Sequence, residues 1–144
     1  MFDVSSKKVI ETLTSSLYPD APQGSTTNGV ALSTNEKNLS IANADNNCLA
    51  VFDVSHTGKS VSRGFIPTGW YPTSVKAIGS KIFVTNGKGF SSFANPNGPN
   101  PTYAKAKVAH EEGDTVTKKY SQYIAGLLTG TMSIISVPGK EQLT

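Results

Sequence analysis

The chain has 144 residues, of which 16% are charged, and a formal net charge of +3 at pH 7. Its 13 basic residues are scattered among 10 acidic ones, which argues against a nucleic-acid partner because phosphate binding requires clustered positive charge. No run approaches the roughly 20 apolar residues of a membrane span, and the first residues lack the pattern of an export signal. The single cysteine, Cys48, excludes an internal disulfide and is expected to be a small apolar strand residue.

Short runs rich in Val, Ile and aromatic residues alternate along the chain with runs of Gly, Pro, Asn and Ser. Residues of the first kind favour strands and those of the second favour turns, so the chain is predicted to be all-β with antiparallel neighbouring strands. The predicted strands, in chain order, are residues 2–5, 9–14, 29–33, 39–43, 48–55, 61–67, 74–78, 82–86 and 131–137, and the end of the chain is a candidate for one more.

The sequence repeats itself. Phe-Asp-Val-Ser at 2–5 recurs at 52–55, Leu-Ser-Ile-Ala-Asn at 39–43 corresponds to Ile-Phe-Val-Thr-Asn at 82–86, and Leu-Ala-Val at 49–51 corresponds to Met-Ser-Ile at 132–134. Such periods indicate stacked copies of one supersecondary unit, here with four strands that we call A, B, C and D. The chain contains C and D of one copy, all four strands of a second, and A, B and C of a third. These copies are predicted to form a single domain, with segments 1–27, 28–72 and 73–144 and an insertion at 87–130 in the last.

Several of these segments resemble the YVTN-type β-propeller repeat. The resemblance rests on "VTN" at 84–86, "IAN" at 41–43, "NADNNCLAVFDVSHTGKSV" and "IPTGWYPTSV". It implies a partial β-propeller of about two and a half four-stranded antiparallel blades with one long inserted loop. The segments "NGKG", "NPNGPNP" and "YIAGLLTGTMSII" are further similar to bacterial propellers fused to an alkaline-phosphatase-like phosphoesterase domain. That similarity implies a bacterial origin and a periplasmic or secreted location.

The A-to-B turns depart from the repeat pattern, since the usual Ser-Pro-Asp-Gly is replaced by "STNEKN" and "IGSK". The number of predicted blades is also too small to close a propeller ring. A propeller closes a ring of about four to eight blades, and an open arc leaves apolar faces and unpaired sheet edges at its ends. The chain is therefore expected to associate with itself through its open blade edges.

In an antiparallel meander, the D-to-A and B-to-C connections lie at one end of the strands and the A-to-B and C-to-D connections at the other. The first set carries the long and aromatic segments, including the insertion, in which a short helix is expected at 120–128. Elaborated loops on a rigid scaffold are the usual place of recognition. The candidate ligand-binding residues are Trp70, Tyr71, Asn86, Lys88, Asn95, Asn97, Tyr103 and His110.

Two alternatives stay open at this end of the strands. The insertion is either a lid or docking arm carrying its Asn, Tyr and His residues, or a surface flap packed on its own blade. Trp70 and Tyr71 either pack between adjacent blades or form a platform for a ligand.

The segments that resemble catalytic motifs each lack a required residue or element. "TGKS" at 57–60 lacks the glycine and the following helix of a phosphate-binding loop, and "HEEGD" at 110–114 lacks the second histidine of a zinc motif. His56 and His110 are predicted at opposite ends of the strands, so no catalytic residues, metal site or cofactor are assigned. The favoured function is a non-catalytic binding or assembly scaffold with a protein or small-molecule ligand, and no nucleic-acid or membrane partner. The alternative is the propeller portion of a hydrolase or phosphoesterase-type enzyme.

Overall fold

The computed structural model of the chain describes residues 1–22, 24–89 and 128–143. These residues form nine strands and one short 3-10 helix. The strands are β1 (Phe2–Asp3), β2 (Lys8–Val9), β3 (Thr27–Leu32), β4 (Asn38–Asn43), β5 (Cys48–Asp53), β6 (Val61–Pro67), β7 (Trp70–Ile78), β8 (Lys81–Gly89) and β9 (Thr131–Ser136), and the 3-10 helix is Lys140–Gln142. No helix in the described part has the length and apolar character needed to cross a bilayer.

The strands form three antiparallel sheets, of order β1-β2, β3-β4-β5-β6 and β7-β8-β9. The predicted all-β class and the predicted grouping of two, four and three strands are thereby confirmed. The register of β4 on β5 runs from Asn38 opposite Asp53 to Asn43 opposite Cys48, so the B and C strands of the full copy are neighbours. The described sheets are open and do not close into a ring.

Several details of the sequence prediction are wrong. The strand expected at 2–5 ends at Asp3, and the strand expected at 74–78 begins at Trp70. The strand expected at 9–14 ends at Val9, because the N–H groups of Ile10 and Glu11 both donate to the Met1 carbonyl (3.1 and 3.4 Å) instead of continuing the ladder. The carboxylate of Glu11 accepts hydrogen bonds from the N–H (2.8 Å) and the hydroxyl (2.7 Å) of Ser60. The chain end forms the 3-10 helix Lys140–Gln142 rather than a strand. Residues 87–89, assigned to the insertion, belong to β8, since Gly89 is paired with Trp70. The expected helix at 120–128 lies outside the described residues, apart from Leu128, which is not helical.

The four-stranded and three-stranded sheets are packed on each other. Their facing side chains form one buried apolar cluster, and Leu49 and Val84 within it are fully buried. Full burial of a Leu or Val side chain contributes about 1.5–3 kcal/mol. The edge strands β3 and β7 come so close that a Cβ added to Gly29 would lie 3.2 Å from the Cα of Ser74. A larger residue at position 29 would therefore push the backbone of β7 away from β3. The cluster consists of Ala42, Leu49, Val51, Ile66, Val75, Ile82 and Val84.

The opposite face of the four-stranded sheet is covered by the N-terminal segment. Ile41, Ala50 and Phe52 are buried there, and Leu13 packs against them. Cys48 is also buried and is unpaired, in agreement with its expected place in a strand; burial raises the pKa of its thiol. The stack thus runs from the N-terminal segment through the four-stranded sheet to the three-stranded sheet.

The two ends of the strands differ. The loop end comprises the β4–β5 turn (44–47), the β6–β7 crossing (68–69), the end of β8 and the start of β9. The hairpin end comprises the β3–β4 turn (33–37), the β5–β6 turn (54–60), the β7–β8 turn (79–80) and the residues after β9. This distribution confirms the prediction that the D-to-A and B-to-C connections share one end.

Candidate functional site at the loop end

The loop end is organised by an irregular start of β7. The pairing of β7 with β8 shifts between Trp70 and Pro72, so that two residues of β8, Gly87 and Lys88, face the single residue Tyr71. The φ of Tyr71, +63°, places it in the left-handed region. A non-glycine residue in this conformation costs about 1–3 kcal/mol and persists only where its surroundings hold it. Here the side chain of Asn47 holds it, because Asn47 Oδ1 accepts a hydrogen bond of 2.8 Å from the Tyr71 N–H.

Asn47 links the turn to the crossing in a second way. Its backbone carbonyl accepts a hydrogen bond of 2.9 Å from the N–H of Thr68. Asn47 itself has a φ of +53°, a conformation that Asn tolerates better than most residues. The β4–β5 turn of one sheet therefore positions the first residues of the next sheet.

The bulge brings two aromatic rings to one lysine. Lys88 Nζ lies 5.4 Å from the ring centroid of Trp70 and 4.1 Å from that of Tyr71. Both distances are within the range of cation–π attraction, which is worth about 0.5–2 kcal/mol per contact. All three side chains are half-buried, so the cluster has an outer surface open to solvent. We call Trp70, Tyr71 and Lys88 the aromatic–lysine cluster.

Asn86 lies next to this cluster but turns into the sheet. Its side chain is 1% exposed, and Nδ2 donates hydrogen bonds to the hydroxyls of Ser133 (2.9 Å) and Thr131 (3.3 Å). A Cβ on Gly69 would lie 2.6 Å from the same Nδ2 atom, so the β6–β7 crossing passes directly over the amide. Asn86 therefore links β8 to β9 beneath the crossing and does not line an open surface.

Asn43 occupies the corresponding place in the four-stranded sheet. In the repeat alignment it corresponds to Asn86 of β8. Asn43 is the last residue of β4 and is 0% exposed. Its Nδ2 donates a hydrogen bond of 2.5 Å to the carbonyl of Ser15, in the segment that precedes this sheet. The final Asn of "IAN" and "VTN" is thus buried in both copies, but its hydrogen bonds differ, since Asn43 binds the preceding segment and Asn86 binds β9.

Of the predicted ligand-binding residues, the structure brings Trp70, Tyr71 and Lys88 together and places Asn86 beneath them. Asn95, Asn97, Tyr103 and His110 lie outside the described residues. Sequence reasoning missed the roles of Asn43 and Asn47. The signal for Asn47 was the segment "NADNN", which predicts a turn but not the residue of the neighbouring sheet that the turn binds.

The described residues at this end carry no arrangement typical of nucleophilic catalysis. No group of three or more His, Cys, Asp or Glu side chains suited to a metal ion occurs within residues 1–22, 24–89 and 128–143. His56 is exposed in the β5–β6 turn at the hairpin end, where its Nδ1 atom lies 3.0 Å from the hydroxyl of Ser55. The geometry of the aromatic–lysine cluster suits recognition by stacking and charge.

Models of known protein families give no match to this chain, and neither do the curated proteins.

Proposed function

We propose that the chain is a segment of a YVTN-type β-propeller that acts as a non-catalytic assembly and binding scaffold. In this proposal a second copy of the chain covers the outer face of the three-stranded sheet, and the aromatic–lysine cluster at the loop end contacts a protein or small-molecule ligand. The same resemblance supports our proposal of a bacterial, extracytoplasmic protein.

One observation carries the assembly proposal, an uncovered apolar sheet face. Ile78 and Ile134 are each 58% exposed and Met132 is 56% exposed on the outer face of β7–β9, where Phe83 lies opposite Ile134. Scattered apolar residues on a surface are normal, but a group of them on one sheet face marks an interaction surface. Lys76 beside Phe83 and Lys81 beside Ile78 add positive charge to the same face. We call Ile78, Phe83, Met132 and Ile134 the open face.

The internal repeat indicates what covers the open face. In the repeat alignment Met132 and Ile134 correspond to Leu49 and Val51, which are 0% and 5% exposed because the three-stranded sheet covers them. The equivalent face in the same chain is therefore covered by another sheet of the same kind. A second copy offers an apolar residue on the opposite face of its four-stranded sheet, where Val30 beside Ile41 is 66% exposed and is left open by the N-terminal segment.

This contact joins two different surfaces of identical chains. Such head-to-tail contacts either close into a ring or continue as an open chain of subunits. The unpaired edge of β9, which has β8 as its one partner among the described strands, adds hydrogen-bonding groups to the same contact.

Sedimentation velocity over a hundredfold range of protein concentration tests the proposal. The parent chain is expected to form dimers and larger species whose fraction rises with concentration. Ile134→Lys is expected to shift the chain to the monomer at every concentration, because a lysine ammonium in the contact loses its water. Val61→Lys is the matched control, since Val61 is 57% exposed on a strand outside the open face, and it should associate like the parent. A monomeric parent chain, or equal effects of the two lysines, would refute the proposal.

A further inference from the structure

A cavity at the hairpin end lies between the two packed sheets. Its volume is about 410 Å³, which falls in the range of small-molecule sites. Its apolar wall includes Val51 and Ile66 from the four-stranded sheet and Ile82 from the three-stranded sheet, while Lys37, Asp53 and Arg63 supply charge. It is at the opposite end of the strands from the aromatic–lysine cluster.

A β-bulge places Arg63 at this cavity. Val51 is paired with Gly64 and Phe52 with Ser62, so Arg63 is the extra residue of β6. Bulges redirect side chains and recur beside functional sites. The guanidinium Nη2 of Arg63 here forms an ion pair with Asp53 Oδ2.

The carboxylate of Asp53 is itself fixed. Its Oδ1 accepts hydrogen bonds from the Ser55 hydroxyl (2.6 Å) and the Ser55 N–H (3.0 Å). These bonds and the Arg63 guanidinium hold the pKa of Asp53 well below its usual range, so the carboxylate stays ionised. Asp53 therefore orients Arg63 and balances its charge. The additional charge of Lys37 gives the cavity lining a net charge of +1.

The C-terminal segment forms the remaining wall, and its fit is specific. Val137, Pro138 and Leu143 line the cavity, and a Cβ at Gly64 would lie 2.0 Å from the Leu143 carbonyl oxygen. Glycine in β6 is therefore needed for the segment to close over the space between the sheets.

We propose that this cavity binds a small anionic amphiphile, a molecule with one carboxylate or similar acid group and a short apolar body. The acid group is held by Lys37 and by the N–H groups of Arg63 that do not face Asp53. The apolar body lies on Val51, Ile66 and Ile82. This site is independent of the assembly proposed above, because none of its residues belongs to the open face.

Methyl NMR titrations with octanoate, 1-octanol and octylammonium test the site, because the three probes share a chain and differ in charge. We expect saturable shifts of the Val51, Ile66 and Ile82 methyl signals, with octanoate bound about threefold to fivefold more tightly than 1-octanol and octylammonium bound most weakly. Titration of the Ile134→Lys variant should give the same affinities, which separates this site from the assembly contact.

Two variants test the charge that holds the acid group and the cavity space that holds the apolar body. Lys37→Gln is expected to weaken octanoate binding about threefold to fivefold without a change for 1-octanol, whereas Lys76→Gln, in an exposed position of β7, leaves both unchanged. Ala77→Phe fills the cavity and should abolish the shifts in a chain whose melting temperature shows that it is folded. Shifts confined to Met132 and Ile134, the absence of saturation, or equal affinities for the three probes would overturn the proposal. Because Lys37 is exposed, its variant reports on the site even if Ala77→Phe does not fold.

Discussion

Leu49 offers a direct test of whether the two larger sheets share one core. It is 0% exposed and belongs to the cluster between the sheets. Truncation of a buried Leu to Ala costs about 2–5 kcal/mol. With a urea slope of about 1–3 kcal/mol per molar for a chain of this size, a loss of about 3 kcal/mol lowers the urea midpoint by about 1–3 M. Leu32→Ala removes the same atoms from a side chain that is 49% exposed, and should cost about 0.5 kcal/mol or less.

Two probes make this experiment decisive. Far-UV circular dichroism follows all the strands, and fluorescence follows Trp70, the one tryptophan of the chain, which lies in β7. Leu49 is in β5 of the other sheet. If the sheets share a core, Leu49→Ala lowers both midpoints equally. A lower midpoint by circular dichroism with an unchanged Trp70 transition would refute the shared core, as would equal effects of Leu49→Ala and Leu32→Ala.

Three further changes probe single contacts. Asp53→Asn is expected to destabilise the chain at neutral pH, and this effect should shrink progressively as the pH falls below about 4, because the parent's lowered pKa gives stability that is present above the unfolded pKa and is lost as the pH falls towards the folded pKa; a difference in urea stability that is constant with pH would contradict this. Gly64→Ala should lower the melting temperature more than Gly79→Ala, since both glycines have positive φ but a Cβ meets the Leu143 carbonyl at the first and nothing within 4 Å at the second; equal effects would contradict the packing of the C-terminal segment. Asn86→Ala should cost about 1–3 kcal/mol in urea unfolding, because it removes the two hydrogen bonds from the buried Asn86 amide to the half-buried hydroxyls of Thr131 and Ser133, and a cost near zero would show that the amide does not link β8 to β9.

The fold class and the grouping of strands could be predicted because the signals are local and repeated. The recurring Phe-Asp-Val-Ser and the final Asn of "IAN" and "VTN" mark the same positions in successive copies. Strand pairing then follows from short turns between adjacent strands. The strand expected at 9–14 stops early because the N–H groups of Ile10 and Glu11 share the Met1 carbonyl. The Glu11 side chain then binds Ser60, and the local pattern of alternating residues contains no information about either contact.

The candidate site was predictable only in part. Trp70, Tyr71 and Lys88 could be assigned to one end of the strands from the parity of the connections. Their convergence depends on the left-handed backbone of Tyr71 and on the Asn47 side chain that holds it, and neither follows from residue type. The cavity at the hairpin end was not predicted, because it depends on the bulge at Arg63 and on the return of the C-terminal segment to β6.

The loop end, the cavity and the open face all follow from one arrangement, the stacking of β3 beside β7 as edge strands of the two larger sheets. A nuclear Overhauser measurement between the α protons of Gly29 and the amide proton of Val75 tests it most directly. In the structure a substituent on the Gly29 Cα would lie 3.4 Å from the Val75 nitrogen, so a strong cross-peak is expected. Absence of that cross-peak, in a sample that shows the β4–β5 cross-strand peaks, would contradict the stacking and with it the proposed scaffold.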